Sequence, residues 1–188
     1  MQRFDLRTIT PTPWKNGGGS TRELACWPPD AGLEDFSWRV SAARIERAGP
    51  FSAFAGVDRQ IMLLAGAGVH LRGAGIDHCL DQLWQPFAFA GEVPVQCELL
   101  GGASMDFNLM LRRGAWRGDV AVVHDRPVSA SGHAAGLCLV LRGAWRADAG
   151  AVLSEGQGLW WSEPCALVMQ PASSQGCALA WVGLEMAE

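Results

Sequence analysis

Short runs of alternating side chains, each cut off by glycine, leave this sequence little freedom to be anything but β-structure. In Phe36-Ser37-Trp38-Arg39-Val40-Ser41-Ala42, the residues Phe36, Trp38, Val40 and Ala42 share one face of an extended chain. Ser37, Arg39 and Ser41 share the other. Residues 104–112 repeat the pattern, with Met105, Phe107, Leu109 and Leu111 set against Asp106, Asn108 and Arg112. Residues 59–64 read as an apolar strand ended by Gly66-Ala67-Gly68, and residues 69–71 as its return strand in a hairpin. Further strands are expected at 21–27, 79–84, 87–89, 95–100, 120–124, 136–141, 151–153, 158–161, 165–170 and 178–184, with 113–119 as a connector. Ser20-x-x-Glu23 also matches a helix capping box, but Pro28-Pro29 leaves no room for a helix of normal length. Helical periodicity competes only near 44–47 and 104–113. Many short strands with glycine turns predict an all-β sandwich or barrel. Leu63-Leu64-Ala65-Gly66-Ala67-Gly68-Val69 has a faint counterpart in Val140-Leu141-Arg142-Gly143-Ala144-Trp145, which points to an internal duplication.

Composition narrows the function classes. Hydrophobic residues make up 49% and charged residues 18%, so the chain has ample core material and is no disordered segment. A net charge of −4 argues against a nucleic-acid partner. No run approaches a membrane span, and Met1-Gln2-Arg3-Phe4-Asp5 lacks the apolar core of a signal peptide. The expectation is a cytoplasmic protein with no membrane partner. Its six cysteines are expected to be reduced, since none forms a Cys-x-x-Cys or Cys-x-x-His pair.

One stretch stands apart: Pro13-Trp14-Lys15-Asn16-Gly17-Gly18-Gly19-Ser20-Thr21-Arg22-Glu23. Lys15 is the sole lysine in a chain that otherwise uses arginine. It precedes the glycines, the reverse of a phosphate-binding loop, so a nucleotide site is not expected. Two readings stay open. Lys15, Arg22 and the glycine amides can receive a carboxylate, or the glycines let the arm cross between sheets. The polar faces are equally double-valued. Arg39, Ser41, Asp106, Asn108 and Arg112 meet solvent on a sandwich, but line a ligand cavity in a small barrel. Asp58 beside Arg59 reads as a strand-end ion pair or as part of that cavity. His70, His78, His124 and His133 are scattered, so no histidine metal site is expected. No Gly-x-Ser-x-Gly elbow is present.

Residues 13–23 resemble the signature of the HutD/Ves family, and the resemblance continues downstream. Phe36-Ser37-Trp38-Arg39-Val40-Ser41 is similar to the family's second block. Gly49-Pro50-Phe51-Ser52-x-Phe54-x-Gly56-x-Asp58-Arg59 is similar to its third, and Gly101-Gly102 with Asp106-x-Asn108-x-Met110 to its fourth. The resemblance implies a bicupin, two small antiparallel β-barrels or jelly rolls packed together. An arm of residues 1–20 would join the second barrel, 21–113 would form the first barrel and 114–188 the second. It also implies an association with histidine utilisation, in a regulatory or flux-limiting role. Against the cupin metal pattern, Ser52, Phe54 and Asp58 would replace the His-x-His…Glu triad and Ser104 the last histidine. No metal and no cofactor are therefore expected.

The function expected is non-catalytic binding of a small acidic metabolite of histidine degradation, such as N-formylglutamate or urocanate. Arg39 and Arg59 would hold carboxylate oxygens. Lys15 and Arg22 would stand at the pocket edge as further charges. Asn16, Ser41 and Asn108 would orient amide or formyl groups, and Asp106 would fix an arginine. The alternative is a metal-independent cupin hydrolase or isomerase acting on a similar carboxylate, with Lys15 or Asp106 as acid or base. The partner expected is a small anionic metabolite, and a homodimer is compatible with the sequence.

Overall fold

The computed structural model describes residues 1–148, 150–174 and 176–187. No helix occurs among them, and nineteen strands form four sheets. In chain order these are β1 (Gln2–Asp5), β2 (Thr12–Pro13), β3 (Gly19–Trp27), β4 (Trp38–Ile45), β5 (Gly49–Pro50), β6 (Val57–Ala65), β7 (Val69–Gly73), β8 (Ile76–Leu80), β9 (Pro86–Ala90), β10 (Val95–Leu99) and β11 (Ser104–Arg112). There follow β12 (Trp116–His124), β13 (Val128–Ser129), β14 (Ala135–Arg142), β15 (Ala144–Ala147), β16 (Val152–Ser154), β17 (Gln157–Trp161), β18 (Val168–Pro171) and β19 (Ala178–Met186).

Two compact units result. Thr10–Ala115 form one; Met1–Ile9 and the chain from Trp116 onward form the other. The first unit faces a six-stranded sheet, β2-β3-β4-β11-β6-β9, with a four-stranded one, β5-β10-β7-β8. The second has a five-stranded sheet, β1-β17-β14-β19-β12, and a four-stranded one, β13-β18-β15-β16. The N-terminal arm is shared out: β1 pairs with β17, whereas β2 pairs with β3.

The duplication is real in topology. Strands β4 to β11 and β12 to β19 pair in the same pattern, and each half carries one irregularity at the same place. Asp106 faces Leu63 just after the shift in the first half; Leu179 faces Val140 beside the shift in the second. This register makes Leu63 equivalent to Val140, as the faint sequence likeness implied. Arg59 then corresponds to Gly136, Asn108 to Trp181 and Phe89 to Trp161.

Several local expectations change. The hairpin across Gly66-Ala67-Gly68 does not form. β6 pairs with β11 and β9, while β7 pairs with β10 and β8, so this turn carries the chain from one sheet to the other. Gly66 (φ +96°) and Gly68 (φ +92°) allow the jump, because each lies where a Cβ would strike neighbouring backbone. The connector at 113–119 is largely strand, since β12 begins at Trp116. The helical alternatives give way to β4 and β11, which pair with each other and bury Val40, Ala42, Phe107 and Leu109. Ala144–Ala147 is a strand the sequence pattern does not signal.

Candidate functional site in the first barrel

The motif around Lys15 is a hairpin turn. The Trp14 N–H donates to the Gly19 carbonyl at 2.9 Å, and the Gly17 N–H to the Trp14 carbonyl at 3.0 Å. Asn16 Oδ1 accepts from the Gly18 N–H at 2.9 Å, so this side chain shapes the turn. Gly17 takes a left-handed conformation at φ +67°. The Gly18 carbonyl accepts the N–H groups of Glu46 and Arg47 at 2.8 and 3.1 Å. A side chain on Gly19 would strike the Arg44 carbonyl across the β3–β4 pair. Trp14 Nε1 donates to Thr21 Oγ1 at 2.8 Å, locking the ring over the turn. The glycines thus make a tight hairpin rather than the crossing between sheets. Lys15 is exposed within it.

The polar stripes of the sequence come together in the interior. Side chains on directly opposed residues share a face. The register sets Arg39, Met110 and Arg59 in one row, Ser41, Asn108 and Ile61 in the next, and Ala43, Asp106 and Leu63 in a third. Ile61 and Leu63 belong to the hydrophobic core of this unit, so the whole face points inward. Ser41 is 1% exposed, Asp106 3%, Arg59 6% and Asn108 8%. In a packed interior such groups normally find partners. Here Ser41 Oγ, Arg59 Nε, Asp106 Oδ1 and Asn108 Oδ1 have none within the protein.

Arg59 is the centre of this set. Its guanidinium lies 5.0 Å from the Phe89 ring centroid, 5.4 Å from Phe51 and 5.6 Å from Phe54. It donates one hydrogen bond, to the Ser52 carbonyl at 3.3 Å. Burial lowers its pKa to about 10, while the Asp106 charge opposes the fall. It remains a cation at neutral pH. Burial raises Asp106 to about 7, held down by the Arg59 charge and by hydrogen bonds from the Asp106 and Ala43 backbone. The two groups feel each other's charge.

A raised folded pKa makes a signed prediction. Protonation of Asp106 is favoured in the folded state, so its contribution is fully present below about pH 4 and is lost as pH rises through about 7. The depressed carboxyls, Asp5, Asp77 and Glu92, act at the acidic end and are already ionised above pH 5. Urea midpoints measured from pH 5 to 8 should fall for the wild type, and Asp106→Asn should flatten that slope.

The other expected site residues are placed as follows. Arg39 lies on the interior face and donates to Glu23 Oε2 at 2.7 Å. Its side chain is 12% exposed, so it stands at the border of the cluster, already paired. Arg22 faces Ala42, on the opposite side of the sheet from Arg39 and Ser41, and does not join the cluster. The cause is the two-residue period of β3, which sends neighbours Arg22 and Glu23 to opposite faces. Asp58 also points away: it accepts from Arg113 at 2.7 Å, so the Asp58–Arg59 ion pair is not made. Asn16 and its neighbour Trp14 instead line a cavity of about 160 Å³ with Ile45, Arg47, Phe51 and Cys97. That cavity is not the polar cluster, but it adjoins it. Phe51 borders both, and Asp106 is among the charges that raise Cys97 to about 12, after burial itself. Phe51, Phe54, Phe89 and Cys97 were not singled out as site residues from the sequence, although Phe51 and Phe54 fall in a quoted block.

The second barrel keeps the frame and loses the site. Gly136 replaces Arg59, with the Trp161 ring filling the space where a side chain would begin. Trp181 replaces Asn108 and Leu179 replaces Asp106. Trp161 and Trp181 pack 5.2 Å apart within an apolar core. A wider open cavity of about 510 Å³ lies beside His133, Cys165, Ser129 and Val168.

The donor set does not suit a cupin metal. Ser52 and Asp58 are exposed, Phe54 lies against the Arg59 cation, and Ser104 Oγ is bonded to the backbone of Gly68. No group of three or more His, Cys, Asp or Glu able to hold a metal occurs among the described residues. A guanidinium in the interior would repel a cation.

Two antiparallel barrels of the same strand order, in tandem, define the all-β cupin class. The Cupin 2 conserved barrel domain protein from Leptotrichia buccalis shares this fold at a TM-score of 0.61 and 9% identity, over 98% of this chain and 96% of that one. The HutD family model matches residues 6–179. Protein Ves of Cronobacter sakazakii is 42% identical over 164 residues, covering 87% of this chain and 88% of the relative. The structure of HutD from Pseudomonas fluorescens SBW25, in a formate condition, aligns at a TM-score of 0.84 and 30% identity over 100% and 99% of the two chains. This chain belongs to the HutD family. No helix among the described residues is long and apolar enough to cross a membrane.

Proposed function

We propose that the chain is a non-catalytic binding protein for a small carboxylate of histidine degradation, such as N-formylglutamate or urocanate, and that binding modulates histidine utilisation. The observation that carries this reading is the set of unpartnered polar atoms on Arg59, Asp106, Asn108 and Ser41 inside one barrel. A buried polar atom left without a partner costs about 1–3 kcal/mol. Four on one interior face are best explained by a ligand that satisfies them. Arg59 supplies the charge, with its guanidinium over three aromatic rings. The cavity beside Trp14, Arg47 and Phe51 offers the approach, and Lys15 stands in the turn that forms its wall. The family membership supports the link to histidine utilisation. Calorimetry with N-formylglutamate and with urocanate should show saturable binding at one site per chain, because Gly136, Trp181 and Leu179 replace Arg59, Asn108 and Asp106 in the second barrel. Absence of heat with either, in folded protein, overturns the reading.

One observation favours a second reading. A buried carboxyl at about 7 is poised for acid–base chemistry. If the protein is a metal-independent enzyme, proton NMR will show slow conversion of one of these acids, and Asp106→Asn will abolish it.

A further inference from the structure

We infer that the first barrel selects acids that also carry an N–H donor, and that Asn108 with Asp106 is the pair that reads it. This inference rests on the acid-binding reading above and names the chemistry that reading leaves open. The unpartnered atoms are not alike. Arg59 Nε–H is a donor and calls for an anionic oxygen. Asn108 Oδ1 is an acceptor, and so is Asp106 Oδ1 when ionised. Ser41 Oγ, opposite Asn108 in register, serves either way. A molecule offering only acceptor oxygens would satisfy Arg59 and Ser41 but leave Asn108 Oδ1 facing another acceptor.

The rows give the order of groups. Arg59 lies in the row of Met110, Asn108 one row further, and Asp106 one beyond that. Successive rows on one face are about 7 Å apart along the strands. Arg59 sends its long side chain among Phe51, Phe54 and Phe89, so the carboxylate belongs at that end. The N–H belongs beside Asn108 and Asp106, away from the carboxylate. A secondary amide or an imidazole ring a few bonds from a carboxylate has this layout; a plain dicarboxylate does not. A site built around hydrogen-bond acceptors rejects analogues lacking the donor more strongly than one built on shape alone.

Matched pairs of ligands test this by calorimetry. Urocanate is compared with 3-(furan-3-yl)acrylate, which keeps the shape and the carboxylate but has no N–H. N-formylglutamate is compared with its N-methyl derivative. The N–H compound of the pair that binds should do so about 10- to 100-fold more tightly than its partner. Asn108→Leu should narrow that gap to within about threefold, mostly by weakening the N–H compound, whereas Arg59→Met should weaken both members of the pair together. Retained folding of each variant is read from its thermal transition. Equal affinity for the two members of the pair overturns the selection by N–H and leaves the acid-binding reading standing. No binding by any of the four compounds overturns both.

Discussion

Replacing Arg59 with methionine should abolish acid binding while leaving the fold intact. The side chain is 6% exposed and makes one 3.3 Å hydrogen bond, so the protein pays heavily to keep a cation there. Methionine fills similar volume among Phe51, Phe54 and Phe89 without that desolvation. Exchange of a buried charge for an apolar group of like size is often neutral or stabilising, within about 1 kcal/mol here. The Asp106 carboxyl then loses the cation that holds its pKa down and stays protonated over a wider range. Binding is a different matter, because removal of a buried charge partner costs about 2–5 kcal/mol. Affinity should drop by about 100-fold or more with an unchanged or higher thermal midpoint. A large loss of stability with affinity retained would make Arg59 a structural residue.

The second large effect concerns the glycines of the hairpin, and it is graded. Gly19→Ala places a Cβ against the Arg44 carbonyl at the first residue pair of the β3–β4 ladder. Backbone atoms cannot move aside as a flexible side chain can. The strands must part, at a cost of about 3 kcal/mol. Gly18→Ala meets only the Asn16 side chain at 3.2 Å and should cost far less. Gly17→Ala has open space around it but a left-handed backbone, at about 1 kcal/mol. Urea unfolding of the three variants checks the order Gly19 above Gly17 above Gly18. Equal effects at all three would contradict the hairpin account.

How much of this was legible beforehand depends on the residue. Arg39, Ser41, Asp106 and Asn108 were placed on common faces by strand alternation alone, and the register unites those faces in one interior. The sequence could not decide between inward and outward, because alternation has the same period either way. Arg22 was misplaced for a related reason: proximity to Lys15 in the chain says nothing about which face of β3 a residue occupies. The turn at Gly66-Ala67-Gly68 was misread because glycine marks a turn but not its destination. The likeness of Leu63 to Val140 was faint, yet it marked equivalent registers in both halves. Outside that stretch the second half exchanges three polar interior groups for packing: Gly136 for Arg59, Trp181 for Asn108, Leu179 for Asp106. The aromatic setting of Arg59 was invisible, since Phe51, Phe54 and Phe89 meet only when β6, β9 and the segment after β5 fold over one another.

The central claim is that Arg59, held without a full set of partners inside the first barrel, is completed by a ligand carboxylate. Its side-chain Nε–H resonance reports this directly in proton–nitrogen NMR, with Arg59→Met as the assignment control. Addition of N-formylglutamate or urocanate should shift that resonance in a saturable way and slow its exchange with water, in step with the calorimetric binding curve. A resonance that stays unmoved through a titration in which the acid binds would place the ligand elsewhere and contradict the account.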